Sequence, residues 1–591
     1  MNDHPEVTAL DEALGDPWDP DNPYGFTAAL VADERAAPAK ALVDRLRQQD
    51  FHLCYVPPGL GGRLVGLDRT HLLVRAAARR DLSVMPATMF SIAALTAAGA
   101  VPGGAETVAR HIVAGRTVAF ALSEEESGSD VLAGRCRLRP DGDGYTLHGR
   151  KWLVGRGATA DAVYLVARTG ERGPAAFTAV LLDAAQLRHP GTVRHPPTPT
   201  TGMRGVDFAD LEFSGTPVPG DAVIGGVGRG LEAALRGQQV VRLMSTAASA
   251  AAADTGLRVA LRFASSRRVG GTPVAQTPTG AGELALAAVE LLVVDAMTLT
   301  ACRGVHVAPA RFGLWSHTVK RVATVLADDA LRRCASLLGA RAVLATGPGA
   351  LLDKARRDAA VVPVIDTSVL GNLRAAAIHV PRYVAPAPAL DDERRDRLAA
   401  VFGLGGPLPP LRPDALDLGV RPVDDLALGL PGLLPELLAA TADDPAFGRL
   451  VTAVVERAHA LAAAVAAAPR DRAARTPALV DRWALLHAAA ACTLLWWHNR
   501  DAPLYGQPPG STGWLTACLS YLLHRADGRD PAEAGAQVLP ALDTVRGLVD
   551  SDRLVTAAGV RLAGSERSSR VREVRDDNAY RGDAQHRGLP G

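Results

Sequence analysis

The chain has 591 residues, of which 48% are hydrophobic and 21% are charged, and its formal net charge is +1 at pH 7. A chain of this length is too long for one hydrophobic core, so several domains are predicted. The near-zero net charge gives no electrostatic basis for binding nucleic acid or an anionic membrane. The six cysteines show no C-x-x-C spacing, which argues against a disulfide framework or a zinc site and favours a reducing compartment.

The sequence also gives no indication of a secretory signal or a membrane span. Its first residues are polar and acidic, without a basic segment followed by an apolar one. The longest apolar run, Ala488 to Trp497, is shorter than the roughly twenty residues that cross a membrane. We therefore expect a cytoplasmic protein with no membrane partner.

The first 385 residues divide into three parts by their hydrophobic periodicity. Residues 1–116 repeat alanine, leucine and arginine at helical spacing, which predicts an N-terminal helical domain. Residues 117–224 have a shorter period, and the D-G-D-G turn at 141–144 predicts a hairpin in a β-domain. Residues 225–385 contain long alanine- and leucine-rich segments typical of a helical bundle. The predicted fold class is mainly α with a central β-domain.

The last two hundred residues have a different organisation. The Pro/Gly-rich segment 386–412 is predicted to be a linker, and 413–565 an extra helical domain. The tail 566–591 is dense in Arg, Asp and Ser, which predicts disorder. Helices of the extra domain are predicted near 446–468, 478–498, 514–525 and 531–549.

One motif is more specific than these patterns. The stretch 119–130 reads A-F-A-L-S-E-E-E-S-G-S-D and is followed by G-R-K-W at 149–152. Together they resemble the flavin-contacting strand and loop of the acyl-CoA dehydrogenase family, roughly L-T-E-P-x-A-G-S-D and G-x-K-x-W-I-T. Further blocks resemble that family in the same order: G-M-R-G at 202–205, L-E-F at 211–213, Arg242, R-R-V-G-G-T-P-V at 267–274, Lys320, Gly339 and R-D-A at 357–359.

The resemblance implies the family's three-part fold and FAD as the cofactor. Where the family has tryptophan and threonine against the flavin, this sequence has Leu153 and Gly155. Trp152 is one residue early, so it reaches the flavin only if the strand is shifted, and otherwise packs in the core. Arg267 matches the family arginine that pairs with an FAD phosphate across a subunit interface. The residues placed in FAD contact are Leu122, Ser123, Ser129, Trp152, Gly155, Arg267, Gly339 and Ser368.

The resemblance also locates the catalytic base. In the family, a glutamate of the sequence Y-E-G-T removes the α-proton of a thioester, and Asp366 stands in that place here. Aspartate is one methylene shorter, roughly 1.5 Å. Asp366 is therefore either the base or, with Thr367 and Ser368, the cap of a helix that starts near Val369. Arg242 is assigned to the base side of the pocket or to a buried ion pair, and Ser129 and Arg242 to the substrate.

Three functions remain open at this point. The first is FAD-dependent α,β-dehydrogenation of an acyl thioester, carried by CoA or by an acyl-carrier protein. An electron-transfer flavoprotein would then be a possible acceptor, and a homodimer or homotetramer is expected. The second is altered flavin chemistry on a carrier-tethered acyl or aminoacyl group, such as oxidation, cyclopropane closure or monooxygenation. The third is a non-catalytic partner. The Ala-, Arg-, Gly- and Pro-rich composition is typical of a GC-rich genome and is compatible with specialised metabolism.

Overall fold

The computed structural model describes residues 4–383, 390–419, 425–467 and 476–563. The N-terminal region is helical, and its helices begin and end where leucine and alanine recur at helical spacing. Helices α4 and α5 form much of its core, with Leu72, Val74 and Ala94 at most 1% exposed. Its helices are α1 (Pro5–Leu14), α2 (Phe26–Glu34), α3 (Lys40–Gln48), α4 (Leu67–Ala78), α5 (Val84–Gly99) and α6 (Gly104–Val113).

An eight-stranded, largely antiparallel sheet follows, interrupted by the short helix α7 (Ala184–Leu187). Seven of its strands lie in the order β6-β7-β3-β2-β4-β5-β8, and β1 pairs with β4 in parallel. The predicted hairpin at 141–144 is confirmed, since it joins β2 to β3 with Gly142 at φ +55°. The strands are β1 (Val118–Ala121), β2 (Arg137–Asp141), β3 (Gly144–Gly155), β4 (Ala162–Arg168), β5 (Phe177–Leu182), β6 (Thr192–Arg194), β7 (Phe208–Val218) and β8 (Val223–Ile224).

The chain then returns to helix and builds a bundle. A small hairpin of β9 (Arg268–Val269) and β10 (Thr272–Pro273) separates the first two long helices. The alanines of the first helix, such as Ala250 and Ala251, are completely buried, because small side chains let neighbouring helices approach closely. The bundle helices are α8 (Gly230–Ser266), α9 (Pro278–Val307), α10 (Phe312–Leu338), α11 (Gly347–Ala359) and α12 (Val369–Tyr383).

The C-terminal region is helical as predicted, with one correction. The predicted linker 386–412 contains a helix at Asp392–Phe402, because Leu398, Val401 and Phe402 form an apolar face that is buried. The four helices predicted further on are present. The tail 566–591 lies outside the described residues. The helices are α13 (Asp392–Phe402), α14 (Asp425–Ala440), α15 (Pro445–Ala467), α16 (Thr476–Asn499), α17 (Gly513–Ala526) and α18 (Leu539–Asp550), with a 3-10 segment at Pro531–Val538 before α18.

Helix α9 lies between the bundle and the C-terminal region. It contacts α8 and α10 of the bundle and α13, α16, α17 and α18 of the C-terminal region. Its most apolar 18-residue window has a mean hydropathy of 1.9 and is entirely buried. Helix α16 has a corresponding window with mean hydropathy 1.3, of which 72% is buried. By length and composition both helices could cross a membrane, and a helix that is apolar on all sides is also what the centre of a large core requires.

Candidate functional site

A cavity of about 460 Å³ lies where the sheet meets the bundle. One wall comes from the loop after β1 and from β3, and another from α8, α10 and the loop before α12. Five of the residues predicted for the site face it together: Ser123, Ser129, Trp152, Arg242 and Asp366. The predicted cofactor wall and the predicted base are thus parts of a single cavity.

The Asp366 carboxylate is not used to cap a helix. The Ser368 hydroxyl accepts a hydrogen bond from Gly371 N at 3.1 Å, so Ser368 caps α12. Asp366 itself has φ +61°, a left-handed conformation that aspartate tolerates better than most residues. Its side chain is 17% exposed. The carboxylate is therefore available to a molecule in the cavity, whereas Ser368, predicted to contact FAD, has a structural role.

Two buried cations hold the loop that carries Asp366. Lys320 Nζ donates a hydrogen bond to the carbonyl oxygen of Ile365 and lies 3.6 Å from Asp366 Oδ2. Arg242 Nε donates to the Thr367 hydroxyl at 3.2 Å. Burial lowers the pKa of Lys320 to about 8 and that of Arg242 to about 10, while the charge of Asp366 opposes both shifts. Arg242 lines the cavity, and its hydrogen bonds go to the hydroxyls of Thr367 and Ser316 and not to a carboxylate.

The sheet side of the cavity contains a β-bulge. Lys151 pairs with Leu211, but Val154 pairs with Ala209, so β3 has one extra residue relative to β7. Leu153, inside this bulge, has φ +47°. The sequence placed Trp152 one residue too early to reach the flavin unless the strand is shifted, and the bulge provides such a shift. Trp152 lies in the cavity wall.

A buried ion pair fixes the loop after β1 against the bulge. Lys151 Nζ donates to the Leu122 carbonyl at 2.9 Å and to Glu124 Oε1 at 2.7 Å. The Glu124 carboxylate also accepts from the backbone N–H groups of Arg135 and Cys136. Burial opposes ionisation of Glu124, but Lys151 and these amides outweigh it and lower its pKa. The loop that presents Ser123 is therefore tied to β3.

Besides Ser368, four residues predicted to contact FAD lie outside this cavity wall. The Leu122 carbonyl is already bonded to Lys151. Gly155 faces the Phe90 ring, and a methyl group added to Gly155 would lie 1.8 Å from Phe90 Cζ. Arg267 and Gly339 are exposed, directly after the C-terminal ends of α8 and α10. In the part of the chain that the structure describes, these last two positions are not among the residues that line the cavity with Asp366.

The sequence interpretation missed four contributors to the site. Lys151 and Glu124 were named only as letters of motifs, and the ion pair between them joins β3 to the loop after β1. Gln239 lies one turn before Arg242 on α8, on the same helix face. Leu418 comes from a segment that resembles nothing in the family pattern, so no sequence signal placed it here.

Comparisons with known proteins match the same two parts of the chain. Residues 119–216 match the acyl-CoA dehydrogenase middle domain, and residues 228–366 match the acyl-CoA dehydrogenase C-terminal domain. A probable acyl-CoA dehydrogenase of Mycobacterium tuberculosis, FadE25, is 26% identical over 249 residues, which are 41% of this chain and 62% of the relative. The chain thus spans about three fifths of the length of that curated relative.

Solved structures share the fold. The butyryl-CoA dehydrogenase of Megasphaera elsdenii superposes with a TM-score of 0.57 at 18% identity, covering 63% of this chain and 95% of that one. The prolyl acyl carrier protein oxidase AnaB gives a TM-score of 0.57 at 17% identity, covering 63% and 97%. The predicted fold is therefore confirmed.

The fold and the two matched regions are those of acyl-CoA dehydrogenases, a class of oxidoreductases that acts on CH–CH groups. Residues 119–216 and 228–366 are thus similar to two domains of the acyl-CoA dehydrogenase family. FAD, the cofactor implied by the sequence resemblance, is the cofactor of this family.

The residues of the cavity fit the ring end of FAD. The Ser123 and Ser129 hydroxyls form no hydrogen bond with the described part of the chain, and both face the cavity beside the Trp152 ring. Hydroxyl groups and an aromatic ring are suitable partners for a polar, planar ring system. The residues predicted for the phosphate end, Arg267 and Gly339, are exposed and accessible to a second copy of the chain.

Proposed function

We propose that this protein catalyses FAD-dependent α,β-dehydrogenation of an acyl thioester, with Asp366 as the base. The observation that supports this proposal best is the position of the Asp366 carboxylate. It is free of the helix cap and faces the cavity that Ser123, Ser129 and Trp152 also line. A base and a flavin wall that share one cavity are what this reaction needs, because the α-proton and the β-hydride leave from neighbouring carbons.

Asp366 accepts the α-proton on its carboxylate. Lys320 and Arg242 hold the loop on either side of it through Ile365 and Thr367, so the carboxylate enters the cavity in a fixed orientation. The left-handed backbone at Asp366 turns the loop at this residue. When bound, FAD supplies the acceptor for the hydride that leaves the β-carbon.

Ser123, Ser129 and Trp152 would hold the ring end of FAD, and Arg267 and Gly339 of a second copy would hold its phosphate end. We therefore propose a homodimer or homotetramer. We further propose a cytoplasmic enzyme of specialised metabolism that takes its thioester from CoA or an acyl-carrier protein. An electron-transfer flavoprotein would then reoxidise the flavin.

The substitution Asp366→Asn tests the base directly. Asparagine has the same size and tolerates the left-handed conformation, so the loop should keep its shape. We expect turnover of acyl-CoA and acyl-pantetheine substrates to fall by at least a hundredfold while the flavin spectrum is unchanged. Full turnover in this variant would show that Asp366 is not the base. A wild-type chain that takes up no FAD would instead support the non-catalytic alternative.

A further inference from the structure

The short segment 413–419 lies beside the cavity although it comes after both family-matched regions, the second of which ends at residue 366. We call residues 413–419 the strap. Its last two residues, Leu418 and Gly419, line the cavity together with Asp366 and Trp152. A wall of the site is thus built by a part of the chain that the family match does not cover.

The strap is fixed to the bundle at several points. Arg236 Nη1 donates to the Asp414 carbonyl at 3.1 Å, and Gln239 Nε2 donates to the Asp417 carbonyl at 2.9 Å. Leu416 is 1% exposed and anchors the strap in the core. Leu418, by contrast, is 38% exposed. The strap therefore offers an accessible apolar side chain on a fixed backbone.

Gln239 carries an unused hydrogen-bond acceptor at this wall. Its side-chain nitrogen must be the atom bonded to the Asp417 carbonyl, since a carbonyl oxygen only accepts. This fixes the orientation of the amide and leaves Oε1 as the free end. Gln239 is 2% exposed, and among the residues that the structure describes its buried Oε1 has no hydrogen-bond partner. A buried acceptor without a partner costs free energy that a ligand N–H group would recover.

We propose that Gln239 of α8 and the strap together select the substrate, with Gln239 Oε1 accepting from an N–H donor and Leu418 packing against the adjacent carbons. This inference rests on the proposed thioester chemistry. A plain hydrocarbon chain offers no such donor. The donor is either an amide N–H of the pantetheine arm, which CoA and carrier proteins share, or the amino group of an aminoacyl thioester.

The test uses two thioether probes that cannot be oxidised, S-butylpantetheine and S-(3-aminopropyl)pantetheine. Their affinities for the FAD-loaded protein are measured by titration calorimetry. Gln239→Leu should weaken binding about tenfold, as expected for one lost buried hydrogen bond. Weakening of both probes identifies the arm amide as the donor, and weakening of the amino probe alone identifies the amino group. Gln48→Leu, at an exposed glutamine, is the matched control.

A second variant tests the strap itself. Leu418→Trp should place a larger ring at the cavity wall and weaken both probes at least tenfold, whereas Leu370→Trp, at an exposed leucine outside the cavity wall, should not. Wild-type affinity in both Gln239→Leu and Leu418→Trp, or a wild-type protein that binds neither probe at millimolar concentration, would overturn the proposal. Because binding is read without turnover, these outcomes are separate from the Asp366→Asn result.

Discussion

Lys320 is the residue whose titration is best placed to affect the reaction. It is completely buried, lies 3.6 Å from Asp366 Oδ2, and burial lowers its pKa to about 8 against the charge of that carboxylate. Above this pH it loses the proton and the positive charge that face Asp366. We therefore expect kcat to fall as the pH rises through about 8.

The substitution Lys320→Met tests this expectation. It should lower kcat at neutral pH and also remove the alkaline limb of the pH–rate profile, because no ammonium remains to titrate. Lys40→Met, at an exposed lysine, is the control. An unchanged profile in Lys320→Met would rule out this electrostatic role.

The same residues show what the sequence could predict at this scale. Asp366 was found from its place after R-D-A, but its left-handed backbone and the capping of α12 by Ser368 depend on the folded loop. The sequence therefore left the base and cap roles open. The hydrogen bond from Gly371 N to the Ser368 hydroxyl distinguishes these two roles, because it shows that Ser368 and not Asp366 caps the helix.

The bulged strand β3 is the element that shapes the cofactor wall. The hairpin before it was predictable, because a D-G-D-G turn is a local signal. The bulge was not, because it is a mismatch with β7, a strand more than fifty residues later. Whether Trp152 lies in the cavity wall depends on this long-range register. The ion pair between Lys151 and Glu124 depends on it too.

We expect Lys151→Met to destabilise this element. The variant would leave the Glu124 carboxylate buried without its counter-charge, and breaking such a pair costs about 3 kcal/mol. The double variant Lys151→Met with Glu124→Gln should recover part of this loss, because no charge is then stranded. Urea denaturation of the FAD-loaded protein measures both. Equal stability of wild type and Lys151→Met would show that the pair contributes little.

At the scale of the whole molecule, a buried polar cluster joins the bundle to the C-terminal region. Glu290 of α9 is completely buried, and its Oε1 accepts from Tyr521 of α17 at 2.8 Å and from Arg333 of α10 at 3.0 Å. Arg525 of α17 pairs with Asp329 of α10 beside it. The helices of the C-terminal region were predictable from periodicity, whereas this junction pairs residues up to 231 positions apart.

The junction gives the protein a defined pH dependence of stability. Burial raises the pKa of Glu290 to about 7, although Arg333 and Tyr521 favour its charged form. The folded chain thus holds this proton more tightly than the unfolded chain, whose value is near 4.5. The contribution of the protonated Glu290 side chain to the free energy of unfolding is complete below pH 4.5 and is lost as the pH rises through 7.

The substitution Glu290→Gln should remove this dependence, since glutamine does not titrate. Between pH 5 and pH 8 the wild type should lose roughly 3 kcal/mol more stability than Glu290→Gln, because each pH unit up to the folded-state pKa of about 7 is worth about 1.4 kcal/mol. Glu283→Gln is the control, since Glu283 also pairs with Arg333 but is 31% exposed. Urea midpoints at several pH values measure the difference. If the urea midpoints of wild type and Glu290→Gln change with pH in the same way, Glu290 is already ionised in the folded protein. The charge of Arg333 would then offset the cost of burying the carboxylate.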